Sequence, residues 1–128
     1  MIEITKMHID PTTIYKRISK NGSGSVVVHF GVVKPLADGK PTKGIQFAPK
    51  GDLEGEMLLV EKELREKWDI NDALFIRRMG NLLIGDIILV AAISSSGREA
   101  AFGACRDAIE KFKKLKCINK TELFEKEK

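Results

Sequence analysis

Lys113 and Lys120, seven positions apart, are the side chains in this chain best placed to do chemistry together. They belong to a segment, Ser94 to Lys120, that reads as a strand end, a small-residue turn, an amphipathic helix and a return segment. A helix end that feeds a strand can bring Lys120 back beside Lys113. Two neighbouring cations would attract an anion, and a lysine can serve as acid or base only where its neighbours favour the neutral form. The strand-to-helix turn also offers free backbone N–H groups to an anion. A phosphorylated substrate would suit such a site.

These residues need elements to hold them. Asp10 before Pro11 signals a helix start, with a short helix running to about Ser19. Asn21-Gly22-Ser23-Gly24 ends it. Valine-rich Ser25 to Val33 is expected to be a buried strand, and Gly31 within it suggests a bulge. Pro35 to Lys43 reads as a mobile loop before a short strand near Ile45 to Ala48. A second helix is signalled from Asp52, with Met57, Val60, Leu64 and Trp68 on one face and Glu61–Arg65 and Glu63–Lys67 as outer pairs. Asp72 to Met79 and Asp86 to Ile93 are expected to form an antiparallel hairpin across the turn Gly80 to Gly85. The third helix starts near Gly97, with Ala101, Ala104, Cys105, Ala108, Ile109, Phe112 and Leu115 as its apolar stripe. Ile118 to Phe124 closes the chain as a strand, and residues from about 122 to 128 are expected to fray. The order αββαββαβ is an α+β pattern, a mostly antiparallel sheet with packed helices in a single domain spanning 1–128.

Composition narrows the function. The 128 residues are 43% hydrophobic and 31% charged, enough for one globular core. The longest apolar run, Ile87 to Ile93, is far short of the roughly 20 residues of a membrane helix. Met1-Ile2-Glu3-Ile4 has no signal-peptide character, so a soluble, cytoplasmic protein is expected. Cys105 and Cys117 are expected to be reduced, Cys105 as a helix core residue. His8 and His29 lack ligand spacing to each other or to the cysteines, so neither a metal nor a cofactor is expected. GxGxxG, GxxxxGKS or GxxxxGKT, and GxSxG are all missing.

Arg106 to Lys120 carries six basic and two acidic residues, the same excess as the chain's formal net charge of +4. This is either a funnel for an anion or nucleic acid or a solvated helix end that complements the macrodipole. The latter suits Lys111, Lys114 and Lys116. With one Trp, one Tyr and no aromatics among the lysines, a stacking platform for nucleic acid is missing.

Read together, these segments resemble the large, catalytic subunit of molybdopterin synthase over roughly Ile14 to Glu122. Ser94-Ser95, Arg98, Ala101-Phe102, Ala104-Cys105-Arg106, Ile109 and Lys113 stand where that family has SSPHR, AFxACR, I and LK elements. Lys120 stands at the first lysine of its PIWKKE segment. Gly24 to Lys34 matches GAxxxFxGxVR, and Arg78, Gly80, Leu82 and Gly85 match HRxGxLxxG. Gly97 stands where the family has a histidine.

The resemblance implies an α/β hammerhead-type fold and a homodimer. Two copies of a small ubiquitin-like sulfur carrier would complete a heterotetramer by inserting their glycine tails. Their thiocarboxylates would supply two sulfurs to cyclic pyranopterin monophosphate, making the dithiolene of molybdopterin. By the same resemblance Lys113 and Lys120 are the catalytic candidates, and Lys34, Arg98 and Arg78 the substrate-binding ones. Lys34 replaces an arginine and loses its bidentate fork. The other readings are a non-catalytic paralogue that binds a carrier tail, and an anion- or nucleic-acid-binding module. Sulfur transfer separates the first from these, and a steep salt slope on DNA or RNA would mark the last.

Overall fold

The apolar run Ile87–Ile93 lies in the interior of a sheet because it is covered on both faces. The computed structural model describes residues 1–124. Their elements are β1 (Ile2–Thr5), a 3-10 turn (Pro11–Thr13) leading into α1 (Ile14–Arg17), β2 (Ser25–Val32), β3 (Leu36–Ala37), β4 (Lys40–Pro49), α2 (Leu53–Lys67), β5 (Asp72–Arg78), β6 (Gly80–Leu83), β7 (Ile87–Ser95), α3 (Arg98–Lys113) and β8 (Ile118–Phe124). The first sheet has the order β1-β5-β7-β2, and only the β1–β5 pairing in it is parallel. In the second, β4 runs between β6 and β8, antiparallel to both, and carries β3 as a hairpin. The fold is α+β.

Side-chain alternation divides the first sheet into two faces. Ala73, Phe75, Ala91 and Ile93 pack against the apolar stripes of α2 and α3, including Met57, Leu64, Ala104, Ala108 and Phe112. Leu74, Ile76, Val90 and Ala92 face the other way and are covered by Ile14 and Ile18. Each fully buried large side chain contributes about 2 kcal/mol of transfer free energy. Asp52 caps α2 by accepting from the Gly55 amide at 2.9 Å, and Asp10 accepts from the Thr12 amide at 2.9 Å. The two long helices can approach because Gly103 lies against the Trp68 ring, where any Cβ would collide.

Several expectations are corrected. Pro35 to Lys43 is not a loop, since β3 and the start of β4 pair across a two-residue turn with positive φ at Asp38 and Gly39. This is the backbone a tight hairpin requires. The segment Gly80 to Gly85 contains β6, held by β4, while β5 and β7 pair antiparallel as expected. β1 was not expected. The first helix is shorter than expected and partly 3-10 in character. Glu61 pairs with Arg65, but Glu63 reaches Lys111 and Lys67 reaches Asp107, tying α2 to α3 instead of lying along α2. Glu122 to Phe124 is paired with β4 rather than frayed, and 125–128 lie outside the described residues. Gly31 does mark an irregularity, a register shift between Gly31 and Val32. Among the described residues no helix is long and apolar enough to cross a membrane.

Candidate active site

Lys120 is aimed by strand register. It stands opposite Phe47, with Ile118 opposite Pro49, and cross-strand partners project from the same face. Lys113 is the last residue of α3 and follows Phe112, whose ring sits 4.9 Å from that of Phe75 and anchors the helix end. The bend between α3 and β8 is held from α2, where the Glu56 carboxylate accepts the Lys116 amide at 2.8 Å and the Cys117 amide at 2.9 Å. Partial burial alone would raise the Glu56 pKa, yet these amide donations outweigh it and leave the pKa below its ordinary value.

Between β2, β4, β5, α3 and β8 lies a cleft of about 540 Å³, a size suited to a small ligand. Lys34, Lys113 and Lys120 all line it, with Phe47, Leu89, Ile109 and Phe112 among its apolar surfaces. The expected return of Lys120 towards Lys113 is therefore seen, and Lys34 joins them from the far end of β2. Lys113 and Lys120 are exposed, and among the described residues they form ion pairs only with Glu110 at 4.0 Å and Glu122 at 3.4 Å, respectively. Exposed pairs of this kind are weak and leave both ammonium groups available to a ligand.

Arg98 and Arg78 are not brought into this cleft. Arg98 is exposed at the first turn of α3, and sixteen helical residues separate that end from Lys113 by about 22 Å. The strand-to-helix turn is at the same distant end, so the turn and the two lysines do not form one anion site. Ser94 and Ser95 are fully buried and donate to the carbonyls of Ser19 at 2.7 Å and Asp69 at 2.8 Å, anchoring the loops beside β7. Arg78 lies on the α1 side of the sheet. It donates to Asp86 at 3.1 Å, and His8 Nδ1 is 3.4 Å away.

Arg77 is the cationic cleft residue that sequence reasoning missed. It is one residue from Arg78 and, by strand alternation, points to the opposite face, where it lines the cleft. Its guanidinium lies 4.1 Å from the centroid of the Phe47 ring, and its Nη1 donates to the Arg78 carbonyl at 3.0 Å. Burial lowers its pKa to about 10, which leaves it cationic at neutral pH. The signal was available in the alternation of Ala73 and Phe75 with Leu74 and Ile76.

No cluster of three or more His, Cys, Asp or Glu suited to a metal occurs among the described residues. Cys105 is buried on the sheet-facing side of α3 and its pKa is pushed up to about 11 by burial, which makes it a poor nucleophile. The chemical means of the cleft are thus cations on an apolar floor, an arrangement that binds anions and stabilises developing negative charge.

The chain is similar to known proteins in sequence and in fold. A family model described as MoaE protein matches residues 4–115. The molybdopterin synthase catalytic subunit of Bacillus subtilis is 34% identical over 124 residues, covering 96% of this chain and 79% of that protein. That of Thermoplasma volcanium is 29% identical over 126 residues, covering 97% and 91%. Among solved structures, molybdopterin synthase from Staphylococcus aureus superposes with a TM-score of 0.88 at 29% identity, over 96% of this chain and 90% of that one. A complex of subunits 1 and 2 of molybdopterin-converting factor from Helicobacter pylori has a TM-score of 0.75 at 18% identity, a likeness of fold, over 98% and 90%.

Proposed function

The chain belongs to the MoaE family, the catalytic subunits of molybdopterin synthase, and we propose that the cleft lined by Lys34, Lys113 and Lys120 is where it transfers sulfur. The convergence of three lysines, from the β2–β3 connection, the end of α3 and β8, on one apolar-floored cleft carries this reading. The substrate is cyclic pyranopterin monophosphate, and the sulfur donor is the thiocarboxylated glycine tail of a small ubiquitin-like carrier.

The reaction concentrates negative charge where the cations are. The thiocarboxylate sulfur forms a C–S bond to a substrate carbon as a C–O bond at that carbon breaks, its oxygen leaving as water or on the opened phosphate ester, and carrier and substrate are joined as a thioester. Water then adds to the thioester carbonyl, the acyl C–S bond breaks, and the carrier leaves as a carboxylate with sulfur retained on the substrate. A second carrier repeats the transfer to complete the dithiolene. Lys113 and Lys120 hold the thiocarboxylate and the oxyanion formed during hydrolysis, and move protons to and from them. Lys34 adds attraction for the substrate phosphate at the rim.

The chain works as one domain, in the cytoplasm, and as a homodimer that binds two carriers. Arg98, one helix length from its own cleft, serves this chemistry only by reaching the cleft of a second copy. Arg78 contributes by holding the sheet through Asp86. The test is conversion of cyclic pyranopterin monophosphate with excess thiocarboxylated carrier, read as the oxidised fluorescent pterin. Product formation supports the reading. Absence of product with retained carrier binding would leave a non-catalytic carrier-binding protein.

A further inference from the structure

A cation withdrawn from water is costly unless something compensates its charge. Arg77 is 7% exposed, yet the ion pairs formed by the described residues all involve other cations. Its neighbour Arg78, 6% exposed, is answered by Asp86 at 3.1 Å. Among the described residues, the fold thus supplies a carboxylate to the arginine on the α1 face and none to the arginine on the cleft. Arg77 is also held still, with its guanidinium over Phe47 and Nη1 tied to the Arg78 carbonyl. No protein acceptor is found for its other nitrogens among the described residues, and they are not among the sealed, unsatisfied atoms of the interior.

We infer that Arg77 is an oxyanion-binding residue of the cleft, and that the group it holds is the phosphate of the small substrate. A rigid, buried guanidinium can grip two oxygens of one phosphate, a geometry no lysine reproduces. Such a fork suits a group that stays in place through both sulfur transfers. Lys113 and Lys120, with side chains 69% and 59% exposed, suit the charge that appears and disappears during reaction. The identity of the phosphate rests on the sulfur-transfer reading, whereas the anion site itself does not.

The test is titration of the wild-type chain with inorganic phosphate, following the Arg77 Nε–Hε NMR signal assigned through its loss in Arg77→Lys. The expected result is a saturable shift that equal ionic strength of chloride does not produce. Calorimetry should show phosphate affinity about tenfold weaker in Arg77→Lys and lost in Arg77→Met. In turnover, Arg77→Lys should raise the KM for the pterin substrate about tenfold while leaving carrier affinity unchanged. An unmoved Arg77 signal, an equal shift with chloride, or an effect that falls on carrier affinity would overturn the inference. The wild-type titration decides the matter even if Arg77→Met fails to fold. Phosphate binding without turnover would remove the sulfur-transfer reading and keep the anion site, whereas turnover with an unmoved Arg77 would do the reverse.

Discussion

The two faces of the β1-β5-β7-β2 sheet treat the same residue type in opposite ways. On the α1 face, Arg78 donates Nη1 to Asp86 with His8 alongside, while its Nε is buried without a hydrogen-bond partner among the described residues. On the α3 face, Arg77 is equally buried but opens on a cleft with three lysines and has no carboxylate partner among the described residues. A buried charge with an internal partner holds the fold, whereas one without a partner is suited to a ligand. Burial alone would have ranked the two arginines together.

The contrast breaks most sharply at Lys120. Lys120→Ala should lower sulfur transfer by about a thousandfold, with unchanged thermal unfolding because the side chain is exposed. Near-normal turnover would remove the lysine from the site. Across the sheet the effect should move from rate to stability. Arg78→Met leaves Asp86 without its guanidinium and should cost about 3 kcal/mol in urea unfolding, while folded enzyme keeps its kcat. A selective loss of kcat would place Arg78 in the reaction after all.

Glu56 offers a smaller, intermediate case, since it is structural but serves the cleft. Glu56→Ala should cost about 1–2 kcal/mol through two lost amide acceptances and reduce turnover through a displaced Lys120. Unaltered kinetics at full folding would show that the α3–β8 bend holds itself. The smallest effect is on acid stability. The Leu83 amide lowers the Asp86 pKa, partial burial opposes this, and the Arg78 guanidinium reinforces it, leaving the value below the usual 3.8. A lowered folded-state pKa contributes stability that is complete above the unfolded value and lost as pH falls through the folded one. The urea midpoint of the wild type should therefore drop more between pH 5 and about pH 3 than that of Asp86→Asn. Equal drops would show that Asp86 is not held by these partners.

Most of the scaffold was legible where the hydrophobic period was long. Met57, Val60 and Leu64 gave α2, the stripe from Ala101 to Phe112 gave α3, and the runs on either side of Gly80 to Gly85 gave the hairpin. β1 escaped because four half-buried residues carry too little pattern. The β3–β4 hairpin escaped because proline, glycine and lysine suggested mobility, although Asp38-Gly39 is a hairpin signal in its own right. At the site, Lys113 and Lys120 could be named from sequence because a helix end and a returning strand constrain where they go, whereas Lys34 was named through the family resemblance alone. Choosing between Arg77 and Arg78 required the facing of β5, and spacing along the chain does not convey facing unless alternation is followed residue by residue.

Phe47 is paired with Gly80 on one side and with Lys120 on the other, while its ring supports Arg77. One residue therefore sets the alignment of the strands that flank it. In evolutionary terms, the chain lengths that bring these strands to Phe47 are constrained as firmly as the residues they carry. Deleting a single position between Cys117 and Lys120 would turn the lysine to the other side of β8 without changing any side chain of the cleft. Descendants of this sequence should therefore tolerate exchanges around the cleft more readily than insertions or deletions in β8.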